Sequence, residues 1–145
     1  MIVDKYTQRL LDEWIQHGKI IIAVDIDDTI LPFRTATQQE CDNTINLIKE
    51  CQAVGAYVII YTCRNEAGQA EALEYCKTKD LHIDAVNKNP EGVKLPYGHT
   101  AKPYANIFLD DRAQLDAAKE RLSHCMHMVR AKQWSERLDY PGAGG

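Results

Sequence analysis

Asp25, Asp27 and Asp28 fall within four positions, directly after the aliphatic run from Ile20 to Val24. A chain gathers carboxylates at the end of a buried-type strand only where something positive joins them. Asp25 and Asp27 are one residue apart, so in an extended chain both side chains point to the same side. A second acidic pair, Asp110 and Asp111, ends the run "ANIFLDD", and Thr62 ends "AYVIIYT". Carboxylates without a nearby histidine or cysteine suit a hard, oxygen-seeking cation, and magnesium is the leading choice. Such a site would suit a phosphate ester attacked by Asp25. Two unit charges about 4 Å apart repel by roughly 4 kcal/mol at an effective dielectric near 20, and a phosphate dianion about doubles that. Magnesium and a lysine would offset the repulsion, and Lys102 lies just before the last acidic strand. Thr62 can bond a phosphate oxygen. Asp27 can protonate the leaving oxygen and then activate the hydrolytic water.

These residues need elements to position them. Residues 4–17 are expected to be helical, with Leu10, Leu11, Trp14 and Ile15 as one apolar stripe and Gly18 as the stop. The first buried strand spans 19–25. Thr37 and Glu40 form a capping box for a helix burying Cys41, Ile45, Ile48 and Cys51. A strand follows to Thr62, then a helix from Asn65 to about Lys79 with Ala70, Leu73 and Cys76 inward. A short strand at 83–86 precedes a loop at 87–101, broken by two prolines and two glycines. After the strand ending at Asp110–Asp111 come a helix at 113–122 and a separate apolar piece at 126–129. Alternating strands and helices predict an α/β fold: a three-layer, Rossmann-like parallel sheet with helices on both faces. Ligands bind beyond the carboxyl ends of such strands, where Asp25, Asp27, Thr62, Asp110 and Asp111 stand. Residues 1–138 are read as one domain, residues 1–18 being its N-terminal helix, with 139–145 a flexible tail.

Composition bounds the function. The 145 residues are 45% hydrophobic and 26% charged, as in an ordinary globular domain. A net charge of -4 gives no footprint for duplex nucleic acid, although a local groove stays open. Five dispersed cysteines without a C-x-x-C pair suggest reduced thiols rather than a disulfide framework. No apolar run reaches membrane-spanning length and the N-terminus is too charged for a signal peptide, so the expectation is a cytoplasmic protein without membrane partners.

"VDIDDTI" resembles the D-x-D-x-T-[LIV] motif that opens members of the haloacid dehalogenase superfamily. "VIIYT" resembles their second motif, Lys102 the third-motif lysine and "IFLDD" the acidic fourth. The resemblance runs over residues 19–130 with the motifs in order, each at a strand end or just before one. It implies magnesium-dependent phosphatase activity through an aspartyl-phosphate. Asp25 would be the nucleophile and Asp27 the acid/base. Thr62 and Lys102 would hold the phosphate. Asp25, the backbone carbonyl of Asp27, and Asp110 would bind Mg2+, with Asp111 as support or alternative ligand. "AKPYANIFLDDRA" also looks like the ending of small members associated with bacterial and phage genomes.

Two departures from the pattern stand out. Asp28 occupies a position where many members have glycine. Lys102 is so close to Asp110 that Lys88 or Lys94 could hold the lysine role instead. The segments where the family inserts cap domains are short, which implies a capless member with an open site, able to take large substrates or borrow cover from a second copy of the chain. Arg64 is a candidate for a substrate anion. Lys94 and Tyr97, with Lys88 and His99, would line the site from the 87–101 loop. Cys63 is expected to be a small buried-type residue, and His124 with His127 lacks a third metal ligand.

The expected substrate is a small phosphorylated metabolite or a phosphorylated macromolecule end. One alternative is a polynucleotide end phosphatase. Another is a non-enzymatic receiver-like phospho-acceptor module, although "AYVIIYT" lacks the aspartate such a module would need before its threonine strand.

Overall fold

The computed structural model describes residues 3–96 and 103–139. Helix α1, Lys5–His17, starts where the Asp4 carboxylate accepts the N–H groups of Tyr6 and Thr7. It closes at Gly18, whose left-handed φ of 71° only glycine adopts without strain. Strand β1 is Ile20–Val24, helix α2 Gln38–Gln52, strand β2 Ala56–Ile60 and helix α3 Glu66–Thr78. The short strands β3, Ala85–Val86, and β4, Ile107–Leu109, follow, and helix α4, Leu115–Asp139, ends the described chain. The predicted capping box is present: Thr37 accepts the Glu40 amide and Glu40 accepts that of Thr37.

The strands form one parallel sheet in the order β3-β2-β1-β4. This is the small, Rossmann-like α/β domain that the alternation of elements predicts, without a cap domain among the described residues. β1 is central and wholly buried, because both faces are covered. Ile20, Ile22 and Val24 of β1, with Val58, Ile60, Ile107 and Leu109, pack against the helices. The opposite side, Ile21, Ala23, Ile59 and Ala85, packs with Val93, Leu95, Tyr104 and Ala105 from the segment joining β3 to β4. Trp14, fully buried, donates its indole N–H to the Val54 carbonyl at 3.0 Å and ties α1 to the turn before β2. There a side chain on Gly55 would meet the Gly18 carbonyl oxygen at 2.4 Å.

Three sequence expectations change. The two C-terminal pieces are one helix, because Ala118, Leu122, Cys125, Met126 and Val129 form a single buried stripe at helical spacing. α3 buries Ala72 and Cys76 whereas Ala70 is exposed, so its inward face is rotated from the expected one. Ile15 lies outside the α1 stripe and is exposed. All five cysteines are free, and burial raises the thiols of Cys41, Cys76 and Cys125 to about 11 and that of Cys51 to about 12. Among the described residues, no helix is long and apolar enough to cross a membrane. The 140–145 part of the expected tail lies outside the described residues.

Candidate functional site

β1 and β4 are neighbours, so their carboxyl ends bring two acidic segments together. The Asp25 amide extends the ladder by donating to the Leu109 carbonyl at 2.9 Å. One carboxylate oxygen from each of Asp25, Asp110 and Asp111 lies within 4.8 Å of the other two. Thr29 fixes the far side of this cluster, its hydroxyl accepting the Asp111 amide at 3.1 Å. The Asp110 carboxylate accepts the Arg112 amide at 2.9 Å, which turns the chain out of β4.

Three carboxylates so close oppose one another's ionisation. Burial, the hydrogen bond with Asp111 and the charge of Asp110 raise the Asp25 carboxyl to about 7, against the bond from the Ile26 amide. The donor set is oxygen alone, without sulfur or imidazole, and therefore fits a hard dication such as magnesium rather than zinc. Asp110 and Asp111 both reach the cluster with Asp25.

The Asp27 carboxylate is held elsewhere. Arg64 grips it with two nitrogens, Nη2 to Oδ1 at 2.6 Å and Nε to Oδ2 at 3.3 Å. The bond with Asp27 raises the affinity of Arg64 for its proton, so the guanidinium stays charged. Its Nη1 also donates to the Gly68 carbonyl, which anchors it to the first turn of α3. The pair is half-buried: the Asp27 side chain is 34% exposed and that of Arg64 20%.

Thr62 sits just past β2, and its hydroxyl accepts the Arg64 amide at 3.1 Å. A hydroxyl that accepts still has its own proton to give. Asn87, after β3, clamps this turn by accepting the Thr62 amide and donating to the Thr62 carbonyl. Sequence reasoning missed Asn87; the available signal was an asparagine directly after a buried strand, and here its φ is 53°.

Asp28 has a backbone reason for its departure from glycine. Its φ is 60°, a left-handed value that aspartate tolerates better than most side chains. The carboxylate then accepts the amides of Phe33, Arg34, Thr35 and Ala36. Burial pulls its pKa up, but these four bonds outweigh it and hold the group at about 2. Asp28, ionised, therefore pins the loop through residues 33–36 and is not one of the three clustered carboxylates.

Some expected site residues are not brought in. Lys94 lines a cavity of about 400 Å³ with Lys19, Ile20 and Asn106, at the amino ends of the strands. The Lys19 ammonium donates to the Lys94 carbonyl there. The run of β1 separates that end from Asp25, so within one chain Lys94 is not brought to the cluster. Lys88, exposed and next to Asn87, is on the correct side. Lys102, Tyr97 and His99 lie outside the described residues. Cys63 is exposed rather than buried, because it occupies the turn between Thr62 and Arg64. His124 and His127 join no metal-like cluster among the described residues.

No family model matches the chain. No curated protein matches it significantly. A conserved protein from Bacteroides thetaiotaomicron has a similar solved structure, with a TM-score of 0.58 and 26% sequence identity. The likeness covers 79% of this chain and 92% of that one. It is described only as a conserved protein, so it supports the fold and leaves the chemistry to the site.

Proposed function

We propose that the chain is a magnesium-dependent phosphomonoester hydrolase of the haloacid dehalogenase type, working through a phosphorylated Asp25. The observation that carries this reading is the convergence of Asp25, Asp110 and Asp111 at the carboxyl ends of neighbouring strands. A fourth carboxylate, Asp27, two residues after Asp25, is held by a different partner, Arg64. Two aspartates in different surroundings can take two roles.

Asp25, Asp110 and Asp111 would hold the ion, joined by the Asp27 carbonyl. Bound there, magnesium supplies positive charge against the phosphate oxygens. The Asp25 carboxylate attacks phosphorus, forming the acyl phosphate as the ester oxygen leaves. Thr62 donates its hydroxyl proton to a phosphate oxygen, and a lysine, Lys102 or Lys88, neutralises charge on the transferring group. Asp27 protonates the departing oxygen and then takes a proton from the water that attacks the same phosphorus and regenerates Asp25. Arg64 positions Asp27. A second carboxylate able to activate water favours turnover over the long-lived phosphorylation of a receiver module.

The test is p-nitrophenyl phosphate hydrolysis by the full chain. Activity is expected to vanish with EDTA and return with added magnesium. Undiminished turnover in thoroughly chelated buffer overturns the reading.

A further inference from the structure

Asp25 has unusual neighbours for a charged site. Alternation along β1 puts Ile21, Ala23 and Asp25 on one side of the sheet, the side where Ile59 packs. Tyr61 continues that side of β2, and Phe108, register partner of Ala23, continues it on β4. Val24 pairs with Ile60, which sets Tyr61 level with Asp25. Strands flanking a central one stand about 9.5 Å apart. The Tyr61 and Phe108 rings nevertheless meet at a centroid distance of 6.2 Å, edge to face at 78°. On the strand between them, Ala23, register partner of Phe108, has a single methyl as its side chain.

This aromatic pair is open. Tyr61 is 45% exposed and Phe108 40%. Val93, Leu95, Tyr104 and Ala105 pack with Ile21, Ala23, Ile59 and Ala85 on the same side. Phe33, 60% exposed, adds a third ring on the loop pinned by Asp28, with the Arg34 guanidinium 5.0 Å over it. Apolar rings left open beside a phosphate site cost hydration and return nothing to the core. Their position next to Asp25 gives them a use.

Resting on the phosphatase reading above, we infer that Tyr61 and Phe108, crossed edge to face, form an aromatic platform on which the base of a free nucleoside monophosphate stacks on one ring with its edge toward the other, its phosphate reaching Asp25. Flat faces select flat rings, and stacking on an aromatic side chain is sequence-tolerant binding energy for any base. A planar ring joined to a phosphate through a sugar is a nucleotide. The net charge of -4 disfavours a polynucleotide, which binds chiefly through basic surface, so the free nucleotide is the substrate assigned.

The experiment compares adenosine 5′-monophosphate with ribose 5-phosphate, the same ester without the base. The full chain with magnesium is expected to favour the nucleotide in kcat/KM by about tenfold or more, through KM. In Tyr61→Leu and Phe108→Leu, which keep apolar bulk, that ratio is expected to fall toward one. A ratio near one in the original chain, or one unmoved by both variants, overturns the platform while leaving the phosphatase reading intact. A 5′-phosphorylated oligonucleotide or a phosphotyrosine peptide preferred over the nucleotide overturns the substrate assignment. In Asp25→Asn, nuclear Overhauser contacts from the adenine protons to the Tyr61 and Phe108 rings are expected. That readout needs no turnover, so it tests the platform even if hydrolysis is absent, and absence of the contacts overturns it.

Discussion

The acid–base role proposed for Asp27 competes with its ion pair to Arg64. The forked ion pair aims the carboxylate and also occupies both of its oxygens. A substrate whose leaving oxygen enters the site can take one of them, while Arg64 stays anchored through Gly68. Asp27→Asn is expected to lower turnover of an alkyl phosphate by about 10²–10⁴-fold. p-Nitrophenyl phosphate should suffer less, because its leaving group needs little protonation. Arg64→Ala is expected to show the same substrate pattern with a smaller loss, since the acid remains but loses its aim. Steady-state kinetics on both esters checks this, and an Arg64→Ala effect confined to KM would place Arg64 on the substrate instead.

Asp25 gives a pH prediction at the same scale. Its folded-state pKa, about 7, is above the ordinary value of 3.8, so the proton competes with the cation below neutrality. Apparent magnesium affinity is expected to be constant above about pH 8 and to fall about tenfold per pH unit below 7. Calorimetric titration at several pH values measures it; an affinity flat from pH 5 to 8 contradicts the cluster's role. The aspartates and Thr62 were legible in sequence because each ends an aliphatic run, which fixes its edge of the sheet. Lys94 was misplaced because its loop has no periodicity to say which end of the sheet it visits.

α2 links the pinned loop to the sheet, and its first turn is held by one reciprocal pair of side-chain bonds. Thr37→Ala removes the hydroxyl that accepts the Glu40 amide and is expected to cost about 1 kcal/mol of stability. Urea unfolding would show a lower midpoint at constant slope. The capping box was readable because the signal is local: two residue types at fixed spacing. α4 was split into two pieces because Ser123 and His124 interrupt its hydropathy, although both sit on a helix whose buried stripe runs through Leu122, Cys125 and Met126. The inward face of α3 was displaced for a related reason. Several alanines leave the apolar stripe weakly defined, and packing selected Ala72 over Ala70. Such choices depend on partners far away in the chain.

At the scale of the molecule, a four-stranded parallel sheet delivers every proposed catalytic group in the described structure from its carboxyl edge, and no cap domain covers that edge among the described residues. On the proposed reading, the walls that would discriminate between substrates in the described structure are the loop held by Asp28, the Arg64 turn and the open rings of Tyr61 and Phe108. The parallel architecture was legible from sequence, whereas unequal cover of the two sheet faces was not, because the segment after β3 packs through scattered residues. The central claim is that Asp25 carries the phosphoryl group. Borohydride reduction during turnover of p-nitrophenyl phosphate with magnesium converts an aspartyl-phosphate to homoserine, which peptide mass spectrometry locates. Homoserine at position 25, lost with EDTA, is the predicted result; modification at another aspartate in its place contradicts the account.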